Sequence, residues 1–268
     1  MSIHPTAQVH PGARIAEDVE IGPNVVVEEH VVIGPRTRVM ANAYLTGWTT
    51  IGASNVIHVG AVLGHEPQDM AYDGSETRLE IGDNNVFREY TLIHRGTAPG
   101  SATRIGNGNM FMGYSHAAHN CVIGNGVTVA NTTQLAGYVE VGDNAFLSAN
   151  VVVHQFCRIG RLAMISGLSA LNQDVPPFMM AGGRPCAVHG TNVVGMRRAE
   201  FGPETREAVK KAYKILYRSD LLTSEAVVRL EAEGEGPEVS ELTEFIKASK
   251  KGIIFHMKTV ASRERSSI

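Results

Sequence analysis

Aromatic side chains are scarce in this chain. Phe, Trp and Tyr together make up 6% of its 268 residues, against 28 glycines. A sandwich core usually leans on large rings, so this composition points instead to a repeat fold dominated by backbone. Cysteine is equally sparse, with Cys121, Cys157 and Cys186 forming no CxxC pair. That leaves no disulfide framework and reads as free thiols in a reducing cytoplasm. No apolar run approaches the roughly eighteen residues of a membrane span. Met1 to His10 lacks the basic-then-apolar pattern of a secretory signal. Net charge is −3, so no surplus of positive charge marks nucleic acid as a partner. The expectation is a cytoplasmic protein with no integral membrane segment. Its 43% of hydrophobic residues suffice for one large core or two modest ones.

What the chain does have is a period of six. Every sixth residue from Ile3 to Leu63 is Ile, Val or Leu. The pattern lapses, resumes at Ile81, Phe87 and Ile93, and lapses again over Ala98 to Arg104. It then runs from Ile105 to Leu171, with only Phe111 and Ala117 outside that aliphatic set. The second position is often Gly, as at Gly22, Gly52, Gly106 and Gly142. The fifth is usually small or β-branched, as at Thr37, Thr91, Thr133 and Ala145. Six is neither a helical period nor simple strand alternation. It fits a short strand followed by a corner, with one aliphatic residue pointing into a narrow core. Three hexads make a triangular coil of 18 residues, and coils stack at the parallel-strand spacing of about 4.8 Å. The period therefore specifies a mainly β fold, a parallel β-helix of hexapeptide repeats with a C-terminal α-helical domain; coils of this kind are known to wind as a left-handed parallel β-helix, a hand that the period alone does not fix.

The boundary is placed near residue 190, with 1–190 as β-helix and 191–268 as helical domain. Past Pro176-Pro177 the composition changes. Pro203 to Arg218 carries Val209, Ala212, Tyr213 and Leu216 on one helical face, with Pro203 and Glu204 suited to a first turn. Two further helices are expected at about 223–233 and 237–250. Cys121 and Cys157 fall two coils apart in register, about 10 Å along the stack, too far for a disulfide. The first lapse, His65 to Arg78, is a polar insertion with Asp69, Asp73 and Glu76, and long insertions in a regular scaffold are commonly functional.

Four of the eleven histidines lie in or beside the second repeat block: His94, His116, His119 and His154. His119 takes the third hexad position, which faces outward. Steps of 18 along the same edge reach Gly137 and then Gln155. An imidazole there can remove a proton from a sugar hydroxyl that attacks a thioester. The backbone N–H of Gly137, with no Cβ in the path, can donate to the oxyanion that forms. Asn120 or a neighbouring carbonyl can hold the other ring nitrogen. No carboxylate neighbours His119 in the sequence. Two other readings of the same residues are solvated surface histidines and a zinc site with histidines from two subunits.

Specific stretches surround these positions. They include Pro67-Gln68-Asp69, Ile93-His94-Arg95-Gly96-Thr97, His116-Ala117-Ala118-His119, Leu135-Ala136-Gly137, Val153-His154-Gln155-Phe156-Cys157, Gln173-Asp174-Val175-Pro176-Pro177 and Tyr213 to Ser219. In this order they resemble the UDP-N-acetylglucosamine O-acyltransferases, the hexapeptide-repeat family that begins lipid A synthesis. The likeness runs from the first hexad through the helical tail. It implies a homotrimer with active sites in the clefts between subunits. His119 matches the general base, Gly137 the oxyanion donor, and Asn120 the residue beside the base. Asp69, His94, His116, His154, Gln155, Asn192 and Arg198 match contacts to the sugar, its phosphates, the uridine or the acyl-pantetheine arm. Gly167 matches the acyl-chain ruler, three coils beyond Gly113 and about 14 Å along the axis. The acyl donor would be a 3-hydroxyacyl chain on the phosphopantetheine arm of acyl carrier protein, with no resident cofactor and no metal. Lys210, Lys211, Lys214, Arg218, Arg158 and Arg161 are candidates for its landing site.

Five positions depart from the family pattern. Asn120 replaces a common Asp and cannot stabilise an imidazolium by charge. Ala71 replaces a Lys in the first loop, Tyr138 a His, Val194 a polar or acidic residue, and Ala199 a basic one. These departures keep a second acceptor in view, a 3-amino nucleotide sugar acylated to an amide, since an amine needs less help from a base. A histidine-zinc lyase of the carbonic anhydrase type and a non-catalytic trimeric scaffold are readings from other classes. The later N-acyltransferase of the same pathway fits less well, because it carries an extra N-terminal domain and the hexads here begin at Ile3.

Overall fold

A computed structural model describes residues 2–255; the end of the expected helical domain, 256–268, lies outside the described residues. Two-residue strands dominate, each one corner away from the next. They assemble into three sheets of eleven, nine and eight strands, and within the coils each strand pairs with the strand three places on in the chain. This is the left-handed parallel β-helix expected from the hexads. The first coils pair with an offset of 18 residues, as in Ser2↔Glu20. The two lapses in the hexad pattern lengthen single coils without breaking the ladder. Ile57 pairs with Phe87, 30 residues on, and Phe87 with Phe111, 24 residues on.

The aliphatic first positions are the core: Ile33, Leu45, Ile57, Leu63, Ile93, Leu135 and Leu147 are all at most 1% exposed. Corners turn at the fourth hexad position, which takes a positive φ, for example 55° at Asn24, 60° at Asn120 and 61° at Tyr138. Asn tolerates that left-handed region better than most residues, which explains its recurrence there. The fifth position, expected to be small or β-branched, also carries a buried asparagine ladder. Asn85 donates its N–H to Asn55 Oδ1 at 2.8 Å and its amide to Gly106 O at 3.0 Å. Its own Oδ1 accepts the Asn109 N–H at 2.9 Å. Such bonds offset the cost of burying the amides, with Asn109 Nδ2 left without a partner among the described residues.

The coils end in a feature the period did not foresee. Met179–Gly182 extends the eleven-stranded sheet and then pairs antiparallel with Ala187–Thr191. Four helices follow: α1 (Val193–Arg198), α2 (Pro203–Arg218), α3 (Thr223–Glu233) and α4 (Pro237–Lys247). The last three match the expected positions, with α4 stopping three residues early; α1 was not anticipated. Ala212, Tyr213, Leu216, Leu242 and Ile246 join the same apolar cluster as the inward aliphatics of the coils. Arg161 forks onto Glu241 at 2.8 and 3.1 Å. Arg158 stacks its guanidinium 4.2 Å above the Phe245 ring. These two cations bind α4, which leaves the exposed Lys210, Lys211, Lys214 and Arg218 as the accessible part of the basic set.

Replacing Asn85 by Ala strands the buried Asn109 N–H and removes the donor to Gly106 O. A loss of about 2–4 kcal/mol is expected from two unmade buried hydrogen bonds, read as a lower urea midpoint at unchanged slope.

Candidate active site

His119 sits on the corner between the strands His116–Ala117 and Val122–Ile123. Its Nδ1 lies 3.0 Å from Asn120 Oδ1. The same oxygen accepts the backbone N–H of Thr97 at 3.0 Å, and Asn120 Nδ2 donates to Ser101 Oγ at 2.9 Å. A backbone N–H can only donate, so the Asn120 oxygen must face Thr97 and His119. In its neutral form the ring therefore carries its proton on Nδ1 and leaves the Nε2 lone pair free. Nε2 points toward Asp69 Oδ2, 3.5 Å away, beyond a direct hydrogen bond. The inserted loop thus brings a carboxylate to His119 that the sequence neighbourhood lacks. Asp69 is itself held, since its Oδ1 accepts the Ala71 N–H at 3.0 Å.

One coil on, the His119 ring lies against the Cα of Gly137. A Cβ on Gly137 would come within 2.6 Å of both Cε1 and Nε2, so only glycine lets the ring rest there. Among the described residues the Gly137 N–H has no hydrogen-bond partner. It is an available donor beside the imidazole. Tyr138, the departure next to this glycine, meets His119 edge to face at 5.4 Å, and Phe156 stacks on Tyr138 at 4.9 Å.

One coil before His119, the His94 ring meets the His116 ring edge-on at 4.8 Å. Burial and the neighbouring His116 push the His94 pKa down to about 3. Burial lowers that of His116 too, although its Nδ1 donates to Leu92 O at 2.9 Å. Both rings are uncharged at neutral pH and supply acceptors and donors rather than positive charge. On the far side, Lys251 reaches His154 Nδ1 at 3.2 Å and Gln155 O at 3.0 Å. Lys251 follows α4, 97 residues from His154, and no local signal announces this contact. Gln155 itself is exposed. Lys250, Lys251, Arg104, Asn120, Tyr138 and Phe156 line part of a cavity of about 760 Å³.

Three predicted residues lie elsewhere in the chain. Gly167 is on the corner between the strands Met164–Ile165 and Ala170–Leu171, a different edge of the prism from His119. Asn192 caps α1: its Oδ1 accepts the Gly195 N–H at 2.9 Å and its Nδ2 donates to Leu162 O at 2.8 Å. An Asn before a short helix is a legible N-cap signal. Arg198 is exposed at the end of α1. Of the other departures, Ala71, Val194 and Ala199 are exposed. Among the described residues no group of three His, Cys, Asp or Glu side chains is placed to hold a metal ion.

Comparison with known proteins gives a consistent picture. Residues 174–254 match the family model described as UDP N-acetylglucosamine O-acyltransferase, domain 2. Residues 1–35 and 102–137 match the bacterial transferase hexapeptide model. The chain is 46% identical over 257 residues to an acyl-[acyl-carrier-protein]–UDP-N-acetylglucosamine O-acyltransferase of Syntrophobacter fumaroxidans, covering 95% of this chain and 100% of the relative. The enzyme of the same name from Thiobacillus denitrificans is 49% identical over 255 residues, with 94% and 99% covered. A crystal structure of a UDP-N-acetylglucosamine acyltransferase from Bacteroides fragilis superposes with a TM-score of 0.91 at 46% identity, covering 94% of this chain and 99% of that one.

The buried histidine pair makes stability pH-dependent. The His94 pKa is lowered from 6.5 to about 3, so between those values the unfolded chain binds a proton that the folded one refuses. Stability is full above about 6.5 and falls as pH drops below it. Replacing His94 by Gln should flatten the pH dependence of the urea midpoint, removing about 1–2 kcal/mol of the loss between pH 7 and pH 5.

Proposed function

This chain belongs to the acyl-[acyl-carrier-protein]–UDP-N-acetylglucosamine O-acyltransferase family, and from that premise we infer that it moves a 3-hydroxyacyl chain from acyl carrier protein to the 3-hydroxyl of UDP-N-acetylglucosamine. That step would open lipid A synthesis in the cytoplasm. The observation that carries the reading is the His119 corner: Nδ1 bonded to Asn120, Nε2 free, and a glycine backbone against the ring.

His119 Nε2 takes the proton of the sugar 3-hydroxyl as its oxygen attacks the thioester carbonyl. The carbonyl oxygen gains negative charge, which the Gly137 N–H accommodates as a preorganised donor. Collapse of the tetrahedral intermediate breaks the C–S bond, and the imidazolium returns its proton to the departing phosphopantetheine thiolate. The positive ring needs a counter-charge that Asn120 does not supply. Asp69, 3.5 Å from Nε2, supplies it, and this favours the hydroxyl over the amine acceptor despite the Asn. No resident cofactor is invoked, because the pantetheine arm arrives with the donor protein.

A homotrimer completes the site. His119 and Gly167 lie on two edges of the prism and Asn192 binds Leu162 O on the third, and neighbouring copies packed about a threefold axis would face one edge with another. Gly167 would then leave room for the acyl chain in the cleft. His94, His116, His154, Gln155, Asn192 and Arg198 would contact the sugar nucleotide or the pantetheine. The exposed Lys210, Lys211, Lys214 and Arg218 would meet the acidic carrier protein.

The test is acyl transfer from 3-hydroxyacyl carrier proteins of several lengths to UDP-N-acetylglucosamine and to its 3-amino analogue. The hydroxyl sugar should be acylated, and His119→Ala should lower the rate by about 10²–10⁴-fold. Turnover of the amino sugar alone would transfer the reading to an N-acyltransferase; transfer to neither would refute both. Gly137→Ala places a methyl where the ring rests and should cost at least about 10²-fold in kcat/KM, with little change in fold by circular dichroism.

A further inference from the structure

The Asp69 carboxylate belongs to an inserted loop outside the coil ladder, so something else must fix it. Arg95 stands one coil before His119 on the same edge, and its side chain is 6% exposed. Nη1 donates to Gly64 O at 2.9 Å. Nη2 donates to the Tyr72 hydroxyl at 2.8 Å and faces Glu66 Oε1 at 3.4 Å. The guanidinium carbon lies 5.4 Å from the Tyr72 ring centre and 6.0 Å from that of Trp48. One buried group therefore grips the insertion where it leaves the coil, at Gly64 and Glu66, and again at Tyr72.

From Tyr72 the contacts run to the reacting corner. The Tyr72 N–H donates to Asp69 O at 3.1 Å, and the Asp69 carboxylate faces His119 Nε2. The scaffold makes room for this arrangement. The strand Val62–His65 shifts register between Leu63 and His65, and Gly64 there has φ +86°. A Cβ on Gly64 would fall 1.9 Å from Thr49 Oγ1, and one on Gly47 would fall 2.9 Å from Arg95 Nη1. Burying a guanidinium is costly and stabilises little by itself. A planar fork bonded to separate points of a loop does, however, fix the loop's position.

We propose that Arg95 is a positioning residue for acyl transfer: it latches the 65–77 insertion through Tyr72 so that Asp69 stands at His119. The proposal rests on the reading of His119 and Asp69 given above. Lysine keeps the charge but loses the fork and the ring stacking, so Arg95→Lys is the informative variant. Tyr72→Phe is a milder second one that removes a single hydroxyl.

The experiment joins two readouts on the full-length protein: hydrogen–deuterium exchange, and kcat/KM for transfer to UDP-N-acetylglucosamine. Arg95→Lys should speed exchange in 66–77 at least tenfold while coils 105–171 stay protected, and should lower kcat/KM by about 10–100-fold. Tyr72→Phe should move both readouts the same way by less. In an Asp69→Asn background, Arg95→Lys should add almost no further loss, because its effect passes through that carboxylate. Unchanged exchange in 66–77 would overturn the latch whatever the kinetics. Faster exchange with full activity, or losses that multiply with those of Asp69→Asn, would overturn the positioning role. If the wild-type protein transfers no acyl group, the reading of the reaction fails, and the exchange data still decide whether Arg95 holds the loop.

Discussion

Main-chain hydrogen bonds between successive coils set the register on which everything else in this molecule rests. Each strand of two residues would be unstable alone; stacked in parallel, it places residue i beneath residue i+18 and repeats that relation along the prism. A side chain therefore acquires neighbours by arithmetic. His119 lies over Gly137 because the two are one coil apart, and the ring can settle there because Gly137 has no Cβ. The same register gives Asn120 the fourth hexad position, whose left-handed backbone turns the chain and brings its amide to the imidazole. The geometry of this corner is largely a consequence of rigid packing, with His119 and Gly137 both held by the regular coils.

The exceptions to regularity do different work. The insertion after His65 carries a carboxylate that faces His119 Nε2, and the shorter insertion near Ala98 brings Ser101 and Thr103 to Asn120. Together they build a polar collar around a corner that the bare repeat would leave exposed. On the proposed reading, the Asn in place of an Asp beside His119 is then less consequential than it looks in isolation. Orientation of the ring comes from Asn120, and compensation of its charge from Asp69 on the opposite side. Two residues thus divide between them what an Asp beside the imidazole would do alone.

Periodicity made most of the fold legible. Aliphatic residues at every sixth position specified coils, their spacing and the line through His119, Gly137 and Gln155. Apolar faces marked α2, α3 and α4. What the sequence could not reveal is aperiodic. Nothing local in Pro67 to Thr77 says that Asp69 ends at His119, because the path of a loop depends on contacts such as Arg95 with Tyr72. Lys251 reaches His154 only because the helical tail folds back along the coils. The hairpin at Met179–Thr191 follows the last hexad and has no repeat to announce it. Asn192 was matched to substrate through family likeness, whereas in the isolated chain its side chain caps α1 and binds Leu162 O.

The central claim is geometric: the ester bond to the sugar oxygen forms between His119 Nε2 and the Gly137 N–H. A crystal structure with the 3-O-acylated sugar nucleotide bound tests it most directly. The account predicts the ester oxygen of the sugar within about 3 Å of His119 Nε2 and the acyl carbonyl oxygen at a similar distance from Gly137 N, with the acyl chain running toward Gly167 of a second copy. A product bound on another edge, or with its ester turned away from His119 and Gly137, would contradict the account.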